Sequence, residues 1–372
     1  MPVTVKKEIK ILVVDDSAFM RKAITMMLES DPQIKVVGTA RDGAEGVEKV
    51  QLLKPDLVTM DIEMPRMDGL TALREIMQKH PVPVMMVSSI TTEGARATLD
   101  ALELGAVDFI PKQMSFVSLD IVKIKDELLS KIKDIVRRKH LLMARFRQRR
   151  FDSLKTGGTP VKEKPAEPLA AKVTTPLAVK KRQHNINIIA IGSSTGGPPA
   201  LQNIIPKLPR NLPVGIVIAQ HMPPMFTKSM ADRLDSLSQV TVREAENGQV
   251  LEPGLVLIAP GGKHLLVKRR GTRPQVVVTT HPEESLYHPC VDVLMNSVAD
   301  NYGRSTMGVI LTGMGSNGLD GLTRLKKNGG VVIAQNEATC VVYGMPRAII
   351  EAELADHIAP IDRIALEMIS YF

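Results

Sequence analysis

The sequence predicts an α/β protein built from two doubly wound parallel sheets, one in each half of the chain. Three observations carry that expectation. Short apolar runs alternate with amphipathic stretches from Ile9 to Leu104. The same alternation restarts at Ile186. Between the two lies a segment whose composition cannot bury a core.

In the first half the strand candidates are Ile9–Val14, Ile34–Ala40, Leu57–Met60, Val84–Ser88 and Val107–Ile110. Helical patterns fall between them at Ala18–Glu29, Gly43–Leu53, Gly69–Lys79 and Glu93–Leu104. A last helix is expected from Leu119 to about Arg150, longer than such a sheet needs. Residues 151–184 are rich in Pro, Lys, Ala, Thr and Glu and read as a mobile tether. In the second half the strands are expected at Ile186–Ile191, Gly215–Ala219, Val256–Ala259, Gly308–Leu311 and Val331–Gln335, among others. This divides the chain into residues 1–130, a basic helix and linker at 131–184, and residues 185–372.

The 372 residues suffice for two ordinary cores. No apolar run approaches membrane-spanning length, and the N-terminus MPVTVKKEIK has no apolar signal core. Cys290 and Cys340 form no metal or redox motif. A cytoplasmic protein without direct membrane insertion is expected. The net charge of +8 has a local origin. Residues 123–182 hold 18 Lys and Arg against 6 Asp and Glu, so the rest of the chain carries a net −4. Two readings stay open: a solvated helix face with its linker, or a contact surface for an acidic receptor or nucleic acid. With no helix-turn-helix pattern, nucleic acid is not expected as a partner.

Asp15 and Asp16 end the first strand, and Asp61 ends the third. Ligands of an open parallel sheet gather at the carboxyl ends of its strands. Three carboxylates converging there are costly unless a cation joins them, and an all-oxygen set suits Mg²⁺. Ser88 ends the fourth strand with a hydroxyl, and Lys112 follows the fifth with an ammonium. Together these groups suit a phosphoryl group on Asp61. With LVVDDS, MDIEMPRMDGL, VSS and Pro111-Lys112, residues 8–130 resemble a response-regulator receiver domain, a flavodoxin-like fold. The resemblance implies phosphorylation at Asp61 by a sensor histidine kinase. It implies Mg²⁺ held by Asp16, Asp61 and the main-chain carbonyl of Glu63, with Asp15 close by. Ser88 and Lys112 become the switch hydroxyl and the phosphate-binding lysine.

The second half opens with an apolar strand running into Gly192-Ser193-Ser194-Thr195-Gly196-Gly197. Gly192, Ser194 and Gly196 satisfy G-x-S-x-G, a tight turn that thrusts a hydroxyl outward. The turn alone also suits an anion cradle or mere packing. His221, at the end of the strand Gly215–Ala219, adds a candidate general base. A glycine-rich loop, Thr312 to Gly318, offers main-chain N–H groups for an oxyanion. With IGSSTGG, QHMPP, Pro289-Cys290-Val291-Asp292-Val293-Leu294, LTGMG and AQNEATCVVYGMPR, residues 186–350 resemble the catalytic domain of the CheB family, the chemotaxis protein-glutamate methylesterases.

That resemblance implies a doubly wound α/β serine hydrolase domain. Ser194 is the nucleophile, His221 the base and Thr195 its neighbour. Main-chain N–H groups near Ser194 and Met314 hold the oxyanion. The substrates are glutamyl methyl esters, and certain glutamines, of methyl-accepting chemotaxis receptors. No cofactor serves the ester step, and a monomer is expected. One departure stands out: the family's triad aspartate position holds Asn317. An amide orients an imidazole but does not offset its charge, and in a serine protease the same change costs about 10⁴ in rate. Asp320 is a possible stand-in if the turn brings it round. The alternative is a phospho-switched receptor-binding protein with a degenerate, weakly active esterase domain.

Overall fold

The computed structural model describes residues 8–112, 120–144, 146, 185–271 and 273–372. Strands β1 (Ile9–Val14), β2 (Ile34–Ala40), β3 (Leu57–Asp61), β4 (Val84–Ser89) and β5 (Asp108–Lys112) form a parallel sheet in the order β2-β1-β3-β4-β5. Residues 11–14, 57–61 and 84–88 are buried, as a sheet covered on both faces requires. Four helices flank it: α1 (Ala18–Glu29), α2 (Gly43–Leu53), α3 (Gly69–Lys79) and α4 (Thr92–Leu104). Each starts at a residue whose side-chain oxygen accepts an otherwise unpaired amide. Ser17 takes Met20 N, Asp42 takes Glu45 N, Asp68 takes Thr71 N, and Thr91 takes Gly94 N.

Helix α5 (Asp120–Arg137) does not run unbroken toward Arg150. It turns at Arg138 and becomes helical again over residues 139–144. The turn lets Arg138 donate to the Glu337 carbonyl at 2.7 Å, while Leu142 and Met143 are buried. The tether at 151–184 lies outside the described residues. Part of the basic tract is not a bare solvated face. Lys131 pairs with Asp108 and Glu127, Lys133 with Asp31, Arg138 with Glu337, and Lys139 with Asp56.

The second sheet has seven parallel strands in the order β14-β13-β12-β6-β7-β9-β8. They are β6 (Ile188–Ser193), β7 (Gly215–Gln220), β8 (Thr241–Glu244), β9 (Leu255–Ile258), β12 (Thr306–Ile310), β13 (Val331–Gln335) and β14 (His357–Ala359). Strands β8 and β14, and the antiparallel hairpin of β10 (His264–Arg270) and β11 (Arg273–Thr279), lie outside the apolar runs that mark the expected strands. The first two are edge strands of four and three residues, too short and too exposed for an apolar run.

Strand order reverses at β1/β3 in the first sheet and at β6/β12 in the second. Both reversals open a crevice at the carboxyl ends of the strands. The two domains pack against each other. Phe109 of β5 stacks on Phe226 of the helix Phe226–Leu237, with ring centroids 4.6 Å apart. Both rings are buried.

Candidate functional site

At the first crevice, ligand oxygens of Asp15, Asp16 and Asp61 lie within 4.8 Å of one another. Asp15 and Asp61 are buried, and Asp16 is exposed. Lys112 Nζ sits 2.6 Å from Asp61 Oδ2 and 3.0 Å from Asp15 Oδ2. Burial pushes the Asp61 carboxyl up to about 6; Lys112 opposes this, and Asp15 adds to it. One ammonium against three carboxylates leaves excess negative charge in an all-oxygen pocket, which fits a hard divalent cation such as Mg²⁺. When bound, such an ion would supply charge neutralisation for an anionic group at this crevice. Gly69 is needed here: a Cβ would come within 1.9 Å of the Asp61 carbonyl oxygen.

Ser88 and Glu63 are placed differently from one another. The buried Ser88 hydroxyl donates to Gly94 O at 3.1 Å and accepts from Thr98 Oγ1 at 2.7 Å, so it is tied to α4. Glu63 is exposed after β3, and its carboxylate accepts from Ser89 Oγ at 3.3 Å.

At the second crevice, β12, β6 and β7 are adjacent, and the loops that follow them meet. Ser194 N donates to Thr312 O at 3.0 Å, and His221 N donates to Ser193 O at 3.1 Å. Gln220 locks the pair of loops: its Nε2 donates to Ser194 O at 3.0 Å, and its Oε1 accepts from Ser193 Oγ at 2.6 Å. The loops pack closely enough that a side chain at Gly313 would force its neighbours to shift. A Cβ there would lie 2.8 Å from Ser194 Cβ and 2.3 Å from Met345 Sδ.

Ser194, Thr195, His221, Tyr287 and Met314 line a cavity of about 230 Å³. The Ser194 amide is already taken by Thr312 O, so it is not a spare oxyanion donor. Among the described residues the amides of Thr195 and Met314 donate to no protein acceptor. Unlike the Ser194 amide, these two N–H groups are free to donate to a ligand.

Asn317 lies beside His221, its Oδ1 3.0 Å from Nε2. The same Oδ1 accepts from Val291 N at 2.7 Å. Asn317 Nδ2 donates to Asp292 Oδ2 at 2.6 Å and to Cys290 Sγ at 3.2 Å. Asp320 is not the stand-in: it is exposed, and its carboxylate accepts from Asn296 Nδ2 at 2.9 Å. The helix Leu319–Lys327 carries it away from the imidazole. His221 Nδ1 is buried without a hydrogen-bond partner. Burial holds the ring well below its ordinary value, at about 4, while Asn317 and Glu127 oppose that shift. The Tyr287 ring stacks on His221 with centroids 4.1 Å apart.

The first domain supplies the far wall of this cavity through Asp108, Phe109, Glu127 and Lys131. Thr195 Oγ1 donates to Asp108 Oδ2 at 2.8 Å. Lys131 pairs with Asp108 at 3.0 Å and Glu127 at 2.8 Å. Arg233 reaches Asp100 at 2.6 Å and also pairs with Glu103. Sequence reasoning missed the Thr195–Asp108 and Arg233 pairs because they join segments that meet only when the two domains dock. It also missed Asp292, which reads locally as an ordinary acidic residue in a first helical turn.

Comparison with known proteins follows the same division. Residues 11–122 match the response regulator receiver domain, and residues 189–368 match the CheB methylesterase family. A Nitratidesulfovibrio vulgaris protein named "Protein-glutamate methylesterase/protein-glutamine glutaminase 2" is 52% identical, covering 96% of this chain and 97% of its own. A like-named Oleidesulfovibrio alaskensis protein is 54% identical with the same coverage. One from Pyrococcus abyssi is 46% identical over 99% of this chain and 96% of its own. No helix among the described residues is long and apolar enough to cross a membrane. The chain therefore belongs to the CheB methylesterase family, in the form that carries a response regulator receiver domain.

Proposed function

We propose that this chain hydrolyses glutamyl methyl esters, and deamidates glutamines, on methyl-accepting chemotaxis receptors, under control of phosphorylation at Asp61. The observation that carries the reading is the setting of His221. Its Nε2 is held by the Asn317 carbonyl oxygen, and its unpartnered Nδ1 is buried at the cavity that Ser194 also lines. An acceptor at Nε2 requires the proton there, which leaves the Nδ1 lone pair as the base.

In this scheme Ser194 gives its proton to His221 Nδ1 as Oγ attacks the γ-carbonyl of the substrate. The amides of Thr195 and Met314 hold the developing oxyanion. His221 then passes the proton to the departing methoxide, and methanol leaves. Water, deprotonated by His221, attacks the acyl-enzyme and frees a glutamate. For a glutamine the leaving group is ammonia.

Asp61 is the phosphoacceptor, served by a sensor histidine kinase, with Lys112 beside it. Asp15, Asp16, Asp61 and the Glu63 carbonyl are the groups that would hold Mg²⁺. In the docked arrangement the receiver walls the cavity with Asp108, Phe109 and Glu127, so a receptor helix lacks room to reach Ser194. Phosphorylation acts by favouring an undocked arrangement.

Methanol release from methylated receptor membranes tests this reading. Wild type should release methanol, faster with a phosphodonor, and Ser194→Ala should not. Equal release by Ser194→Ala would reject the serine mechanism. Receptor binding with no release by wild type would favour the degenerate, binding-only reading.

A further inference from the structure

Asp292 stands in the first turn of the helix Val291–Tyr302, where a carboxylate ordinarily does no more than offset the helix dipole. Here its two oxygens are divided between two partners. Oδ1 accepts from Gly321 N at 2.9 Å, and Oδ2 accepts from Asn317 Nδ2 at 2.6 Å. The second contact is short for an N–H···O bond, as charge-assisted bonds are.

This contact dictates which way the Asn317 amide faces. Reversing the amide would set its NH₂ against the Val291 N–H and its oxygen against the Asp292 carboxylate. Both contacts would then be repulsive. The amide oxygen must therefore face His221, and a carboxylate bonded to Nδ2 polarises the amide so that Oδ1 becomes a stronger acceptor. We infer that Asp292 is a positioning residue of the hydrolase: its carboxylate, acting through the Asn317 amide, fixes the His221 tautomer and stabilises the imidazolium formed when Ser194 gives up its proton. The inference rests on reading Ser194 and His221 as nucleophile and base. Neither Asn317 nor Asp292 changes protonation in it; the one proton moves from Ser194 Oγ to His221 Nδ1.

The groups facing His221 come from three directions. Glu127 and Lys131 project from α5 with opposite charges. Tyr287 covers one ring face, a favourable surface for a cation. Asn317 and, behind it, Asp292 complete the set, with Cys290 at the same amide. Glu127 belongs to the docked wall, so in an undocked enzyme Asp292 is the carboxylate still coupled to the ring.

A charge transposition isolates the effect. Asp292→Asn alone leaves one acceptor where two bonds need one each. The double variant Asp292→Asn/Asn317→Asp restores the bonds to Val291, His221 and Gly321 and the bond between positions 292 and 317, and gives up only the Nδ2 contact with Cys290 Sγ. The new carboxylate accepts from Val291 N, His221 Nε2–H and the new amide, whose own oxygen accepts from Gly321 N. It also moves the charge next to the base.

Full-length phosphorylated Asp292→Asn is expected to lose about 10- to 100-fold in kcat, with KM within about twofold, less than the roughly 10⁴ lost with a directly bonded triad carboxylate. The double variant is expected to recover at least wild-type kcat. In the Ser194→Ala background, which needs no turnover, ¹⁵N NMR titration of His221 should show an Nε2–H tautomer. Its midpoint should fall by about half a unit or more in Asp292→Asn. A double variant no faster than Asp292→Asn, or a His221 midpoint indifferent to Asp292, would overturn the assignment. Should wild type and Ser194→Ala release methanol equally, the serine-esterase reading fails instead, and the His221 titration still decides whether Asp292 is coupled to the ring.

Discussion

Thr195 Oγ1 donates to Asp108 Oδ2 across the domain boundary at 2.8 Å. The donor adjoins Ser194, and the acceptor lies on β5, the strand that also bears Lys112. Lys112 in turn sits 2.6 Å from Asp61. One five-residue strand thus connects the carboxylate cluster of the receiver to the hydroxyl beside the proposed nucleophile. In the proposed scheme, a phosphoryl group on Asp61 would act through Lys112 on the same strand that makes this contact.

Asp108→Ala should weaken this latch, since it removes both the Thr195 bond and the Lys131 pair. A bond to a charged group is worth about 1.5–3 kcal/mol, so basal methanol release without phosphodonor should rise about tenfold or more. The phosphorylated rate should change little. The ratio of the two rates, with and without phosphodonor, is the measurement, and it should shrink.

Arg233 offers a weaker and salt-sensitive version of the same experiment. Its partners Asp100 and Glu103 are partly exposed, and such pairs contribute about 0–1 kcal/mol and are screened by salt. Arg233→Ala should raise basal release by no more than about fivefold. Raising ionic strength should reproduce the gain in wild type and add little in the variant.

Domain docking should depend on pH through His221. Burial holds its imidazole at about 4 in the docked form, whereas an uncovered ring returns toward about 6.5. The undocked form therefore binds the proton more readily. Docking should be fully favoured above about pH 6.5 and lose stability as pH falls from there toward 4. Limited trypsin digestion across that range, with cleavage rate as the readout, should show faster nicking at the acid end in wild type. His221→Gln should flatten the dependence.

In the receiver, Asp61 is held up at about 6 by burial, with Lys112 opposing. Lys112→Met removes the opposing cation, so the Asp61 carboxyl should titrate higher than in wild type. Phosphorylation by a small-molecule donor needs the carboxylate and should be slower near pH 6 in this variant, with the loss recovered as pH rises. Carboxyl ¹³C NMR of Asp61 and the rate of phosphoprotein formation measure the two effects.

The positions of Asp15, Asp61, Ser194 and His221 at strand ends were legible from periodicity alone. Apolar runs set the strands, and a residue that ends a parallel strand points toward the crevice whatever its distant neighbours are. The break in α5 was not legible, because Arg138 leaves the helix for Glu337, 199 residues away. Asn317 looked like a loss when judged by its own side chain.

By itself the sequence determined the two parallel sheets, the ends at which their chemistry gathers, and the family to which those motifs belong. Local hydrophobic pattern and turn chemistry suffice for that, since they act between near neighbours in the chain. Tertiary structure alone decided that Asp292 stands behind Asn317, that Asp320 does not, and that Asp108 reaches Thr195. The two contacts join residues 25 and 87 positions apart, which meet only when the folded sheets bring their loops together; Asp320, three positions from Asn317, is turned aside by the helix it begins.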